Sequence, residues 1–287
     1  GIMPEACLRH EVEAVVIASP AATHFQLAGE AMRSGKHVLV EKPMGLSVAE
    51  GEELLRVSLE YRRVLMVGHV FLYHPAVRYI KGYIKGGEAG EIYYAYSRRL
   101  NLGRLRRDEN CLWSLAPHDI SILLYLFEER PLSVVAGGAS FLPHRLEDVV
   151  FFTMYFPSGR VGNIHVSWLD PQKVREFTVV GSEKMLVFDE MSPDAKVKIF
   201  DKRVYPVTEG EIMGYGDELR IHFGEEIIPE IRMEEPLKLE CEAFRDAALG
   251  GPRPPSNAEE GLEVLRVLEA ADRSLAQWGR PVEIKGG

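Results

Sequence analysis

Val38-Leu39-Val40-Glu41-Lys42-Pro43 is the stretch of sequence on which the fold depends. An apolar, β-branched run ends here in an acid, a lysine and a proline, a pattern typical of a buried parallel strand at its carboxyl end. Open α/β sheets bind their ligands at this edge. The sequence therefore predicts that Glu41 and Lys42 lie beside a ligand site, since an acid and a lysine are costly to bury without a task.

A second stretch, Trp113-Ser114-Leu115-Ala116-Pro117-His118-Asp119, opens an apolar helical run. Ser114 and His118 are four residues apart, which places both side chains on one face of a helix. A lysine and a histidine that converge on one cleft can handle the proton of a sugar hydroxyl while its carbon gives up a hydride. The alternative is structural, with Ser114 as the N-cap of the helix and His118 as a satisfied core residue.

The composition of the 287-residue chain is that of a globular protein, with 46% hydrophobic and 27% charged residues. At roughly 150 residues per domain, this length favours two domains. A net charge of -9 repels phosphate backbones and anionic membranes, so we expect no nucleic-acid partner and no membrane partner. The three cysteines are far apart and form no C-x-x-C pair, which favours a reduced, cytoplasmic protein without a metal site.

The first part of the chain alternates strands with helices. We predict strands at residues 12–19, 37–40 and 64–68, and helices at residues 23–34 and 47–62. The first strand is nearly continuous in apolar residues, as expected for a strand buried on both faces. In the second helix the expected buried stripe is Val48, Leu55 and Leu59, flanked by Leu54 and Val57. This rhythm predicts a parallel sheet with right-handed crossovers.

The pattern changes after about residue 85, where short strands separated by turn residues predominate. Strands are predicted at residues 92–100, 134–135, 149–155, 161–168, 176–181, 185–188, 197–200 and 204–207, and helices at 75–84, 114–127, 237–249 and 258–278. The expected fold is α/β plus α+β, with a partial dinucleotide-binding domain at 1–85 and a second domain at 86–287. The last helix is expected to pack back on the first domain.

Loops supply the weaker candidates for a site. Ser19-Pro20-Ala21-Ala22-Thr23-His24 is either the lining of a nicotinamide ribose site or an ordinary loop in which Thr23 caps a helix. The candidates for substrate contact in the other loops are Tyr73, His74, Asn101, Trp168 and Lys173. For Trp168 and Lys173 a solvated hairpin is the equal alternative.

A dinucleotide-binding fold begins with a strand, a G-x-G-x-x-G loop and a helix, and has an acid near the end of its second strand. The sequence contains no such arrangement. Gly86-Gly87-Glu88-Ala89-Gly90 is rich in glycine, but it follows a predicted helix and precedes a strand, which is the wrong order for a pyrophosphate loop.

Taken together, these motifs resemble the Gfo/Idh/MocA oxidoreductases, which act on sugars and cyclitols with NAD(P). The segments that carry the resemblance are Ser19-Pro20 with His24, residues 35–43, Gly68 with Tyr73-His74-Pro75, residues 115–119, Ser167-Trp168, residues 179–182 and Glu259-Glu260-Gly261. Asn101-Leu102-Gly103 and the segment from Trp113 to Asp119 look most like the branch that oxidises UDP-linked N-acetylhexosamines and hexosaminuronates at C3.

The resemblance implies a Rossmann-type parallel sheet and then a domain with a large, mainly antiparallel open sheet, whose outer face commonly forms homodimers or homotetramers. It implies that Lys42 and His118 are the catalytic pair, that Ser114 lies beside them, and that Glu41 and Pro43 shape the nicotinamide site. His118 or Lys42 would remove the hydroxyl proton while hydride leaves for NAD or NADP. Ser19, Pro20 and His24 are the further cofactor residues, and Trp113 joins the substrate residues.

Two features depart from the family pattern. Ser114 stands where the family usually has an aspartate, so it brings no negative charge to His118 or Lys42, although it can still hydrogen-bond a substrate hydroxyl. The segment of about 50 residues with the glycine loop is absent, as if the sequence begins inside the third βα unit. The alternative function is therefore an impaired or non-enzymatic paralogue that serves as a ligand-binding or scaffold protein.

Overall fold

The computed structural model describes Glu5 and residues 9–103, 109–143, 146–206 and 219–284. Within this part of the chain Cys111 and Cys241 are free thiols, and Cys7 lies outside it. No helix among the described residues is both long and apolar enough to cross a bilayer.

The smaller sheet has three parallel strands in the order β1-β2-β3. These are β1 (Ala14–Ile17), β2 (His37–Glu41) and β3 (Leu65–Gly68), joined by α1 (His24–Arg33) and α2 (Val48–Tyr61). The central strand β2 buries Val38 and Val40 completely, which is expected for a parallel strand covered on both sides. Its carboxyl end therefore emerges from the core at Glu41.

The larger sheet has nine strands in the order β11-β10-β9-β8-β4-β7-β6-β5-β12. These are β4 (Ile92–Leu100), β5 (Ser133–Ala139), β6 (Val149–Tyr155), β7 (Val161–Ser167), β8 (Val174–Gly181), β9 (Met185–Asp189), β10 (Val197–Pro206), β11 (Leu219–Ile227) and β12 (Val282–Glu283). Neighbouring strands pair antiparallel except β4 and β7, which pair parallel. The predicted fold class is confirmed.

There are four further helices among the described residues: α3 (Pro75–Lys85), α4 (Cys111–Phe127), α5 (Pro236–Ala248) and α6 (Ala258–Ala276). Helix α4 packs on β4, β6 and β7, whereas α6 contacts α2 and β3 of the smaller sheet and β5 of the larger one. One hydrophobic cluster runs through both sheets, from Val15 to Val150 and Ile199. The carboxyl ends of β2 and β3 therefore face α4 across a shared core.

The buried stripe predicted for α2 was wrong at Leu59, whereas Val48 and Leu55 are partly buried against the core. Leu54 and Val57 are completely buried, whereas Leu59 is 66% exposed. The reason is the approach of α6, because a Cβ atom at Gly51 would lie only 2.7 Å from Leu265 Cδ1. The helix therefore turns its face with Gly51, Leu54 and Val57 toward α6.

Three strand predictions also differ from the structure. β1 is buried on one face only, since Val16 is 62% exposed between the buried Val15 and Ile17, so this side of the strand is open to solvent. The segments predicted at 197–200 and 204–207 form the single strand β10 as far as Pro206, with a register shift between Phe200 and Lys202; residue 207 lies outside the described residues. β11 and β12 were not predicted.

Candidate active site

Glu41, Lys42 and Pro43 lie at the carboxyl end of β2, the central strand of the parallel sheet. Glu41 is paired with Gly68 of β3, and its carboxylate lies over that glycine, where a Cβ atom would come within 3.0 Å of Oε2. The same carboxylate oxygen accepts the backbone N–H of Lys42 at 3.3 Å. The acid therefore occupies the space left by the missing side chain and fixes the backbone from which Lys42 projects.

The side chain of Lys42 reaches helix α4. Its Nζ donates to the Ser114 carbonyl oxygen at 2.8 Å, across 72 residues of sequence. Pro117 lies inside this helix and has no N–H, so the carbonyl of Trp113, one residue before Ser114, loses its helical donor. The interruption lies in the turn of α4 that faces the ammonium group.

The start of α4 differs from the prediction. The helix begins at Cys111 instead of Ser114, and the N-cap is Asn110, whose side chain accepts the backbone N–H of Trp113 at 3.1 Å. Ser114 is therefore an interior helical residue, half-buried and on the same face as His118. Because the helix starts earlier, Pro117 is not in its first turn.

His118 is half-buried, and its Nδ1 is a buried atom without a hydrogen-bond partner in the described part of the chain. The edge of its ring contacts Phe71, with 5.1 Å between the ring centroids. Burial, and after it the positive charges of Lys42 and Arg99, lower the pKa of His118 well below its usual range. At neutral pH the imidazole is uncharged and can accept a proton.

Asp119, the residue after His118, forms an ion pair with an arginine and not with His118. Arg99 of β4 donates to its two carboxylate oxygens at 2.6 and 3.2 Å, and both side chains are buried. The Arg99 guanidinium also lies 4.7 Å from the centroid of the Phe71 ring. This ion pair anchors α4 to the large sheet and leaves no carboxylate of Asp119 for His118.

Sequence reasoning missed His69, which follows β3 directly and is 1% exposed. Neither of its ring nitrogens has a partner among the described residues. Burial and the charge of Lys42 lower the pKa of His69 to about 3, so it is neutral. The rule that identified Lys42, a polar residue directly after a buried parallel strand, also applies to His69 and would have found it.

Glu240 of α5 is the second missed group. It is 1% exposed, its Oε1 lacks a partner in the described chain, and burial followed by the charge of Glu41 raises its pKa to about 8. A protonated carboxyl therefore lies near the carboxylate of Glu41. The sequence gives no signal for it, because the helical pattern of α5 does not show which residue approaches β2.

The predicted cofactor residues Ser19 and Pro20 lie in the loop after β1, His24 is the first residue of α1, and Pro43 lies in the loop after β2. The buried His24 ring joins the loops, with Nε2 2.8 Å from the Ser19 carbonyl oxygen and Nδ1 2.7 Å from the Pro43 carbonyl oxygen. The Ser19 hydroxyl lies 2.6 Å from the Thr23 hydroxyl, and Pro20 is exposed. His24 therefore links the loop after β1 to the loop that carries Lys42.

The predicted substrate residues are not brought together. Tyr73 is completely buried, with its hydroxyl 2.9 Å from the Ser256 hydroxyl, and the buried His74 caps α3 by accepting the Ala76 N–H. Trp168 is 3% exposed within the large core. All three side chains are buried, and their contact with a substrate stays a prediction.

Three other substrate candidates reach the surface at different places. The indole of the half-buried Trp113 donates to the Asp272 carboxylate, so the α4 residue is tied to α6. Asn101 is half-buried at the end of β4, and its backbone N–H donates to the Ser167 carbonyl oxygen at 3.1 Å. Lys173 is exposed in the loop before β8.

The described residues fit the nicotinamide half of a dinucleotide. Buried ring nitrogens of His69 and His118 without partners, next to an ammonium group, provide donors and acceptors that a carboxamide and a hydroxyl can satisfy. Lys42 and His69 lie at the carboxyl ends of parallel strands, where open α/β sheets bind ligands, and His118 approaches from α4. No described loop has the G-x-G-x-x-G sequence that holds a pyrophosphate.

Comparison with solved structures shows which proteins share this fold. The structure of UDP-N-acetylglucosamine 3-dehydrogenase from Acidithiobacillus ferrooxidans matches 96% of this chain and 82% of that one, with a TM-score of 0.79 and 24% identity. An inositol dehydrogenase homolog from Azotobacter vinelandii, complexed with NADH and myo-inositol, matches 97% of this chain and 80% of that one, with a TM-score of 0.78 and 21% identity. At these identities the likeness shows the fold.

Sequence comparison agrees with the structural comparison. UDP-N-acetylglucosamine 3-dehydrogenase of Acidithiobacillus ferrooxidans is 28% identical over 179 residues, which cover 62% of this chain and 56% of that enzyme. Residues 3–69 match the oxidoreductase family with an NAD-binding Rossmann fold, and residues 77–187 match the GFO/IDH/MocA C-terminal domain. The chain therefore belongs to the Gfo/Idh/MocA oxidoreductase family.

Proposed function

We propose that the protein is an NAD(P)-dependent dehydrogenase that oxidises a hydroxyl group of a sugar or nucleotide-sugar. The observation that carries this proposal is the contact between Lys42 and α4 one helical turn before His118, with Nζ 2.8 Å from the Ser114 carbonyl oxygen. It brings a cation and a neutral base to the carboxyl ends of the parallel strands.

The proposed roles follow from the charge of each group. His118 is neutral because its pKa is lowered, so it takes the proton of the substrate hydroxyl. Lys42 stabilises the negative charge that develops on the substrate oxygen. A bound nicotinamide supplies the chemistry of hydride acceptance. Glu41 and His24 hold the loop of Lys42 through the contacts at its backbone and at Pro43.

Ser114 provides a hydroxyl instead of a carboxylate in this arrangement. It lies on the helix face of His118, so it is placed to hydrogen-bond a substrate hydroxyl while leaving the pKa of His118 low. The base therefore stays unprotonated to a lower pH than it would beside an aspartate.

The substrate class that we propose is a UDP-linked N-acetylhexosamine or hexosaminuronate, oxidised at C3. Its support is the likeness of Asn101-Leu102-Gly103 and of the segment from Trp113 to Asp119 to that branch, together with the similarity to UDP-N-acetylglucosamine 3-dehydrogenase. The named relatives do not favour the scaffold alternative.

We also propose the domain roles and the assembly. Residues 1–85 form the dinucleotide-binding part, and residues 86–287 bind substrate and associate with a second copy in a cytoplasmic homodimer or homotetramer. The support for association is an exposed apolar set on the large sheet, which consists of Tyr93, Tyr94, Phe151 and Tyr155.

The function is tested with the variants Lys42→Met and His118→Gln, with Lys198→Met as the control. Lys198 is exposed on β10 and pairs with Glu226, so the control removes an equal charge away from the site. Reduction of NAD and NADP is followed with a panel of UDP-N-acetylhexosamines. Loss of the general base in His118→Gln lowers turnover by about 10²–10⁴. Loss of the stabilising charge in Lys42→Met lowers it by about 10²–10³. The control keeps wild-type turnover.

Calorimetric titration of NAD and NADP against the 287-residue chain supplies the second measurement. We expect binding of one of them in the wild type and in His118→Gln, with urea unfolding midpoints like that of the wild type. Wild-type turnover in both site variants contradicts the assignment.

A further inference from the structure

A second cavity lies at the amino ends of the parallel strands, on the edge of the smaller sheet opposite Lys42. Its volume is about 560 Å³, and its charged lining is mainly cationic, with Lys36, Arg63 and Arg245 against Glu13; His10, His37 and Ser34 complete the polar lining. Arg245 pairs with Asp246 at 2.6 Å, which is outside the lining. The other cations have no carboxylate within ion-pair distance in the described chain.

Two hydrogen-bond donors face each other in this cavity. Nδ1 of His37 accepts the backbone N–H of Val64 at 3.0 Å, which puts the ring hydrogen of the neutral imidazole on Nε2. Nε2 lies 3.4 Å from the Arg63 Nη1, which is also a donor. Burial and the charge of Arg63 lower the pKa of His37, so the ring is not further protonated. Among the described residues, no acceptor lies between these two donors.

Two other hydrogen-bond donors of this cavity, Arg63 Nε and Lys36 Nζ, also bind fewer acceptors among the described residues than they can. The Nε of Arg63 is a buried atom without a hydrogen-bond partner among the described residues. Lys36 is only 5% exposed, and its Nζ donates to the Arg9 carbonyl oxygen at 2.7 Å. A buried ammonium group bonded to a neutral carbonyl retains an uncompensated charge, which is costly in a protein interior.

The helix ends explain why this edge of the sheet carries positive charges, but they do not explain why hydrogen-bond donors there lack acceptors. Helices α1 and α2 end here, at Arg33 and Tyr61, and the negative ends of helices attract cations. In the described chain, however, neither Lys36 nor Arg63 donates a side-chain hydrogen bond to the last carbonyls of these helices. Lys36 donates to Arg9, which lies before β1, and Arg63 Nε has no partner in this part of the chain.

We propose that this cavity binds an oxyanion, the phosphate or carboxylate group of a small ligand, between Arg63, His37 and Lys36. One oxygen accepts from Arg63 Nη1 and His37 Nε2–H, a second accepts from Arg63 Nε, and the charge is balanced by Lys36. A planar guanidinium fork suits such two-point recognition. The site lies at the opposite end of the strands from the proposed reaction centre and does not depend on it.

Inorganic phosphate is the first probe, and malonate is the second. Calorimetric titration and thermal unfolding of the full chain are measured with each anion, and with sodium chloride at equal ionic strength. We expect phosphate or malonate to bind and to raise the melting temperature above that in chloride. The Nε–H resonance of Arg63 shifts on titration in a ¹⁵N-labelled sample.

The variant Arg63→Gln weakens binding of the effective anion by at least about tenfold, because the fork is lost. Arg62→Gln is the matched control, since it removes the same charge from the neighbouring exposed residue, which does not line the cavity. Binding by malonate instead of phosphate supports the oxyanion site with carboxylate as the preferred group. Equal loss in both variants, or no anion effect beyond chloride with an unmoved Arg63 resonance, overturns the proposal.

Discussion

The protonation of His118 is set by its burial and by the positive charges around it, and not by a carboxylate partner. Its neighbour Asp119 binds Arg99, and residue 114 is a serine. Burial, with Lys42 and Arg99, therefore lowers the pKa of His118 without opposition from a nearby acid. An enzyme that uses His118 as its base therefore keeps the imidazole unprotonated in mildly acidic solution.

The pH dependence of kcat/KM tests this account of His118. A base with a lowered pKa is lost only below that pKa, so the acidic limb of the wild-type profile lies below pH 6.5, the ordinary value for histidine. Ser114→Asp adds a negative charge on the same helix face, stabilises the imidazolium and moves the limb to higher pH. Ser114→Asn, similar in size but uncharged, leaves it in place. Superimposed limbs for the two variants would contradict this explanation.

Part of the site could be predicted from sequence at the residue scale. Lys42 and His118 were predicted because a strand end and a helix face each follow from local periodicity. The burial of Tyr73 depends on Ser256, 183 residues away, and that of Trp168 on the packing of the large sheet. No local pattern contains such contacts, so residues that look like loop candidates are core residues.

At the scale of elements, α2 shows how a partner decides which face of a helix is buried. The sequence of α2 offers two apolar stripes, one through Leu54 and Val57 and another through Leu55 and Leu59. Gly51 selects the first, because only a residue without a side chain lets α6 approach so closely. The amphipathic pattern predicts the helix but not its rotation.

Alanine substitutions at Leu54 and Leu59 measure this difference directly. Leu54 is completely buried, so Leu54→Ala lowers the free energy of unfolding by about 2–5 kcal/mol. Leu59 is 66% exposed, so Leu59→Ala changes it by less than about 0.5 kcal/mol. Urea unfolding of both variants provides the comparison, and similar losses in the two would mean that the orientation of α2 is wrong.

The strands differ in how strongly the sequence specifies them. β6 was predicted at 149–155, where apolar residues mark both faces and turns flank the strand. In β11, Leu219, Ile221 and Phe223 alternate with polar residues. This alternation indicates a strand, although β11 is not among the predicted strands. The two residues of β12 are a strand only because they pair with Val134 and Ser133 of β5, a contact that no local pattern contains.

At the scale of the whole molecule, the site exists because two sheets share one core. Helix α6 contacts both sheets, and α4 lies between the larger sheet and the ends of β2 and β3. This arrangement brings Lys42 to Ser114 and places His69 and His118 near the same charge. Residues 38–43 and residues 113–119 each predict one side of the site, and the tertiary packing of α4 brings the two sides together.

The most direct test of this meeting is the pKa of His118, followed by NMR titration of the chain in the wild type and in Lys42→Met. Because the charge of Lys42 lowers that pKa, its removal raises the pKa of His118, whereas Lys198→Met leaves it unchanged. A pKa of His118 that is the same in all three proteins would contradict the central claim that the two groups share one site.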